Sequence, residues 1–155
     1  MCGIAGLIHR GKSSNVGHEL QGMLQALKHR GEDSTGYALY GEGSKGDYIL
    51  RFKVGENVKE GSTAANEEKT VYDERRKEVD KHIRDLGADI LQDQQLTPYS
   101  FRYVIKYDKD LMEFSKRIES VEMTEILSLG KTLELVKDIG DATAVSKQYG
   151  LDKIK

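Results

Sequence analysis

Residues 1–10 read MCGIAGLIHR and place the only cysteine of a 155-residue chain directly after the initiator methionine. Removal of Met1 would leave Cys2 at the N-terminus, with a thiol and an α-amine on one residue. Methionine ahead of a small side chain is the setting in which the initiator is usually removed. A thiol attacks as thiolate, and with an ordinary pKa near 8.5 only about a few per cent of it is ionised at neutral pH. An α-amine with a pKa of roughly 7.7–8.0 is partly neutral there and can take the proton, directly or through water. Gly3 has no Cβ, so a substrate or a neighbouring backbone can come close. At an arbitrary position a lone cysteine reads as a small buried hydrophobe; position 2 and the CGIAG context point instead to a nucleophile. While Met1 is attached the Cys2 nitrogen is an amide and cannot act as base, so the chain carrying Met1 is a precursor.

Outward from this start, CGIAGLI (2–8) has the composition of a buried strand, and GKSSN reads as a turn. Asn15 is placed to cap a helix with Leu20, Met23, Leu24 and Leu27 on one stripe, ending near KHRG, where Gly31 can take a left-handed conformation. TGYALYG and DYILRFKVG are strand candidates separated by EGSKG. The glycines at 41, 43 and 46 match G-x-G-x-x-G, but no helix pattern follows and the spacing reads as a plain hairpin turn. Residues 55–69 are polar and aperiodic, a linker or mobile loop. Thr70 with Asp73 resembles a capping box, opening an amphipathic helix over 70–98 with Val79, Ile83, Leu86 and Ile90 as its stripe; its DERRKEVDK face reads as a solvated surface. After Pro98, Phe101, Tyr103, Ile105 and Tyr107 alternate as in a half-buried strand. Asp108 or Asp110 can cap a helix carrying Leu111, Phe114, Ile118 and Val121. TEILSLGKTLELVKDI reads as strand, tight turn and strand, and Asp141 opens a last helix, DATAVSKQYG. Residues 99–155 are thus expected to form a β-α-β-β-α lobe.

Composition narrows the function class. A net charge of -2 from 24 basic and 26 acidic residues leaves no electrostatic footprint for nucleic acid or an anionic membrane, so neither is expected as a partner. One cysteine forms no internal disulfide, no secretory signal opens the chain, and every apolar run is well short of the roughly 20 residues that span a bilayer. A soluble cytoplasmic protein is expected. His9, His18 and His82 show no ligand spacing, so neither a metal nor another cofactor is expected.

MCGIAGL, followed after one helix by LKHRGEDSTGYALY, resembles the N-terminal part of the class II glutamine amidotransferase domain, an N-terminal-nucleophile (Ntn) hydrolase. It is most similar to archaeal-type subunits associated with glutamate-synthase-like enzymes. The family pattern of Cys-Gly-Ile, a helix, then Leu-x-His-Arg-Gly-x-Asp-Ser-x-Gly is filled by Leu27, His29, Arg30, Gly31, Asp33, Ser34 and Gly36. The resemblance implies a transferase and hydrolase reaction in which the Cys2 thiolate attacks the side-chain amide of glutamine, ammonia leaves for a synthase subunit or domain, and water releases glutamate. It implies Cys2 as the catalytic residue, and Gly3, Arg30, Gly31, Asp33 and Ser34 as the loop beside it. His29 reads as a hydrogen-bonded structural histidine at a helix end.

The implied fold is α+β, a partial Ntn αββα sandwich with an inserted β-α-β lobe. Its divisions are an amidotransferase core (1–54), a linker (55–69), an amphipathic helix (70–98) and the lobe (99–155). In this family a Gly-His-x-Arg segment clamps the glutamine carboxylate and an Asn-Gly pair forms the oxyanion hole. Here the asparagines are at 15, 57 and 66, and none precedes glycine. A missing oxyanion donor costs about 3–4 kcal/mol of transition-state stabilisation. LSLGKTLELVKDIGDATAVSKQYGL is similar to the segment just before the arginine motif in the archaeal-type subunits. The chain is therefore expected to stop in mid-domain, to need the C-terminal half of the domain as a partner, and to turn over little alone. The alternative is a non-catalytic Ntn-like subunit acting as a partner-binding or regulatory module.

Overall fold

The computed structural model describes residues 3–11, 15–30, 34–41, 46–56 and 64–154, with the helical backbone alone for 64–68. Along the chain run α1 (Val16–Ala26), β1 (Ser34–Tyr40), β2 (Tyr48–Lys53), α2 (Ala64–Asp85), β3 (Asp89–Thr97), β4 (Ser100–Lys106), α3 (Leu111–Ile118), β5 (Glu125–Gly130), β6 (Leu133–Ile139) and α4 (Ala142–Tyr149). Two 3₁₀ turns, Lys28–Arg30 and Leu151–Lys153, follow α1 and α4. The class is α+β, with a four-stranded sheet of order β3-β4-β2-β5 and a two-stranded sheet of β1 and β6. Contacts divide the chain into a unit that is outer in sequence, Met1–Tyr37 with Lys137–Lys155, and a unit that is inner in sequence, Ala38–Val136. Among the described residues no helix is long and apolar enough to cross a membrane.

The inner unit is built on alternation. Leu50 and Phe52 of β2, with Val54 just after it, and Phe101, Tyr103 and Ile105 of β4, with Tyr107 just after it, send every second side chain to one face. There they meet Tyr72, Val79 and Ile83 of α2 and Phe114 and Ile118 of α3 in one core. Phe52 stacks on Phe101 at 5.3 Å between ring centres and meets Tyr103 edge-on at 5.1 Å. All three ladders are antiparallel. The element order β-α-β-β-α-β with the first strand between the third and fourth is the split β-α-β arrangement.

Polar groups fasten α2 to this sheet. Arg76 lies over the Phe101 ring at 4.8 Å, donates from Nε to the Tyr103 hydroxyl (2.8 Å) and from Nη2 to Asp93 (2.6 Å). Tyr103 in turn donates to Asp80 (2.8 Å), and burial raises its pKa. Arg75 caps the Val54 carbonyl at 3.0 Å. On the opposite face of the sheet, Arg51 and Arg102 converge on Glu134 of β6. Arg51 Nε and Arg102 Nε reach Oε2 at 2.6 and 2.8 Å, and Arg102 Nη2 reaches Oε1 at 2.9 Å.

Several expectations are corrected. CGIAGLI is not a strand over its described residues, and among the described residues it joins neither sheet. Its side chains still alternate, with Gly3, Ala5 and Leu7 half-buried and Ile4 and Ile8 more than nine-tenths exposed. β1 and β2 form no hairpin: β1 pairs with β6, and β2 lies between β4 and β5. β5 and β6, although consecutive, also enter different sheets. The helix expected over 70–98 starts at Ala64 and stops at Asp85, so Thr70 is interior to it and not at its cap position. It stops because Gly87 takes φ +81° and the amides of Gly87 and Ala88 close on the carbonyls of Arg84 and Ile83. Ile90 then pairs with Ile105 in the sheet. Nor is DERRKEVDK simply solvated, since Arg75, Arg76 and Asp80 all bind the sheet. The strand expected from the alternation of Phe101, Tyr103, Ile105 and Tyr107 is found as β4, which ends one residue before Tyr107, and Asp110 caps α3 through the Met112 amide (2.7 Å).

Candidate active site

The outer unit holds the described part of the candidate site. α1 forms where expected, with Leu20, Leu24 and Leu27 half-buried. Asn15 occupies the cap position but its side chain makes no capping bond; its carbonyl accepts the Glu19 amide at 3.0 Å. The helix tightens at Leu27 into the Lys28–Arg30 turn, where the Arg30 amide donates to the Leu27 carbonyl (2.8 Å). Gly3 lies against this junction. A Cβ on Gly3 would come within 3.0 Å of Leu27 Cβ and 3.6 Å of Arg30 Cβ, so glycine is what lets the N-terminal segment approach. His9 adds an exposed contact to Glu19 (3.1 Å).

Gly3 and Arg30 are thus brought together. The Arg30 side chain is exposed, and Ser34 opens β1 with its side chain also exposed. Cys2, Gly31 and Asp33 lie outside the described residues. His29 is exposed in the 3₁₀ turn that follows α1.

What sequence reading missed is the part played by α4. Its Asp141 cap is present, with Oδ1 accepting the Ala144 amide at 2.9 Å, but Oδ2 also pairs with Lys28 at 3.1 Å. The Ala144 amide and then Lys28 hold the Asp141 carboxyl below the usual range. Gln25 Oε1 accepts both the amide (3.2 Å) and the hydroxyl (3.0 Å) of Thr143. From β1, Tyr37 donates to the Ala142 carbonyl (2.9 Å) and Thr35 to the Gly140 carbonyl (2.8 Å). Burial raises the Tyr37 pKa.

α1 also packs on the turn after α4. The Gly17 amide donates to the Ile154 carbonyl (3.1 Å), and a Cβ at Gly17 would stand 1.9 Å from the Leu151 carbonyl oxygen. Backbone cannot yield as a side-chain tip can, so Gly17→Ala is expected to destabilise the chain by about 2 kcal/mol or more despite alanine's higher helix propensity. A urea titration checks this; an unchanged midpoint would contradict the packing.

Among the described residues no three His, Cys, Asp or Glu side chains are grouped as metal ligands. A shallow hollow of about 420 Å³ in the inner unit is lined by Leu86, Glu113, Lys116, Arg117 and Ser120, none of them a candidate site residue.

No family model matches the chain. Over 154 residues it is 29% identical to a protein of Methanothermobacter thermautotrophicus named "Putative glutamine amidotransferase". That likeness supports a glutamine amidotransferase family. The match takes in 96% of this chain and 47% of the relative, so the chain spans about half the length of the protein it resembles.

Proposed function

We propose that this chain is the N-terminal part of a class II glutamine amidotransferase, with Cys2 as nucleophile after Met1 is removed. The observation that carries the reading is the seat of Gly3 on Leu27 and Arg30, which joins the residue after the cysteine to the Leu-x-His-Arg motif. The likeness to the Methanothermobacter protein along almost the whole chain supports it.

The α-amine of Cys2 takes the thiol proton, and the thiolate adds to the glutamine carboxamide. The tetrahedral adduct expels ammonia, which carries away the transferred proton. Water, deprotonated by the same amine, then cleaves the thioester to glutamate and regenerates the thiol. Gly3, Arg30, Gly31, Asp33 and Ser34 act as the residues that support the nucleophile. A second half of the domain supplies the carboxylate clamp and the oxyanion donors, and a synthase subunit or domain consumes the ammonia. The outer unit belongs to the amidotransferase core, and the inner unit, Ala38–Val136, is inserted in it in place of the insertion expected over 99–155.

A glutamine-like diazoketone tests this, applied to the Met1-free protein joined by the second half of the domain. Peptide mass mapping is expected to find the label on Cys2, and free glutamine to protect it. An unlabelled Cys2 in that complete protein would favour a non-catalytic, partner-binding or regulatory module.

A further inference from the structure

The three residues Gly31–Asp33 of the motif are bounded by two fastened ends, and both are fastened to one place. Before them, Lys28 pairs with Asp141 (3.1 Å), and Gln25 Oε1 holds the Thr143 amide and hydroxyl (3.2 and 3.0 Å). Gln21 extends the same edge, its Nε2 reaching Thr143 Oγ1 at 3.4 Å while its Oε1 accepts from the fully buried Ser146 (3.2 Å). After them, Thr35 donates to the Gly140 carbonyl and the buried Tyr37 to the Ala142 carbonyl (2.8 and 2.9 Å). Gly140–Thr143 therefore grips α1 and its 3₁₀ turn on one side of the motif and β1 on the other. Gly3 is seated against Leu27 and Arg30, where α1 passes into that same turn.

We infer that the first turn of α4, through Asp141 and Thr143 acting on Lys28 and Gln25, is the positioning element for the N-terminal nucleophile. The inference rests on the class II reading of Cys2. These four side chains hold α1 and its turn to α4, and the residue after Cys2 lies against Leu27 and Arg30 of that junction. Two hydrogen bonds to one Gln25 oxygen and a second carboxylate oxygen on Lys28 define the angle of the turn more tightly than apolar packing would, since hydrogen bonds are directional. A small displacement of a nucleophile alters its reactivity out of proportion to the stability lost.

Because Cys2 is the only cysteine, thiol alkylation by iodoacetamide, read as the thioether by peptide mass mapping, reports on it alone. The Met1-free full chain is alkylated across pH 5–10, as wild type, Thr143→Val, Thr143→Ser and Lys28→Met, and again as wild type unfolded in urea. Thr143→Val keeps shape and removes the hydroxyl. Thr143→Ser restores it. Lys28 is half-exposed, so Lys28→Met keeps the test alive should the valine variant not fold. In the folded wild type the pH midpoint of alkylation is expected to differ from that of the unfolded chain. Thr143→Val and Lys28→Met are expected to change the neutral-pH rate by roughly three- to tenfold and to move the midpoint toward the unfolded value. Thr143→Ser is expected to retain the wild-type profile. Variants with lower melting temperatures but unaltered alkylation profiles would overturn the inference and leave the class II reading standing. A folded wild type that reacts just as the unfolded chain does would sink that reading itself.

Discussion

Cys2→Ala in the Met1-free protein, completed by the second half of the domain, is expected to lose about 10⁴-fold or more of its glutamine hydrolysis. The chain has no other cysteine to substitute. Alanine leaves the α-amine in place, but an amine near neutral pKa can then only activate water, and no thioester forms. Initial rates of glutamate and ammonia release measure the effect. Cys2→Ser falls between the two, because an alcohol keeps the geometry while its proton is far harder to remove. Turnover unchanged in Cys2→Ala would remove Cys2 from the chemistry.

Glu134→Ala is the second large effect, and it concerns stability. Arg51 and Arg102 meet on this single carboxylate on the inner unit's sheet, with side chains only 9% and 23% exposed and Glu134 at 16%. Removing the carboxylate leaves two guanidiniums close together, largely out of water, with the charge between them gone. Breaking a buried ionic group in this way costs about 3–5 kcal/mol. Burial alone would raise the Glu134 pKa; Arg102 and Arg51 outweigh it and hold the carboxyl below its ordinary value. The contribution is therefore complete above the unfolded carboxylate range, near pH 4.3, and is lost as pH falls through the lower folded value. Urea midpoints are expected to fall more steeply below about pH 4.5 in wild type than in Glu134→Gln. A Glu134→Ala cost under about 1 kcal/mol would mean that the cluster behaves as a solvated surface pair.

Legibility followed the range of the interactions. Phe101, Tyr103, Ile105 and Tyr107 could be read because strand period is local, and all four are core residues. α1, α3 and α4 could be read because their stripes and the caps at Asp110 and Asp141 lie within a few residues. Partners were another matter. Nothing local tells Tyr48–Lys53 to sit between β4 and β5 rather than beside β1, because that choice is made by the face Leu50 and Phe52 share with Phe101 and Tyr103. The end of α2 could have been read from Gly87, but the apolar stripe continues into Leu86 and Ile90 and hides the change of period. In the candidate site, a motif singles out both Gly3 and Arg30, which the structure brings together. The contacts of Lys28 with Asp141 and of Gln25 with Thr143 were not legible, because these partners are more than 110 residues apart in sequence.

The most direct measurement separates, by intact mass, protein that has lost Met1 from protein that keeps it, and compares glutamate release by the two in the completed domain. The expected result is turnover confined to the Met1-free species, because only there is the Cys2 nitrogen an amine able to take the thiol proton. Equal turnover by the species that retains Met1 would contradict catalysis by an N-terminal cysteine.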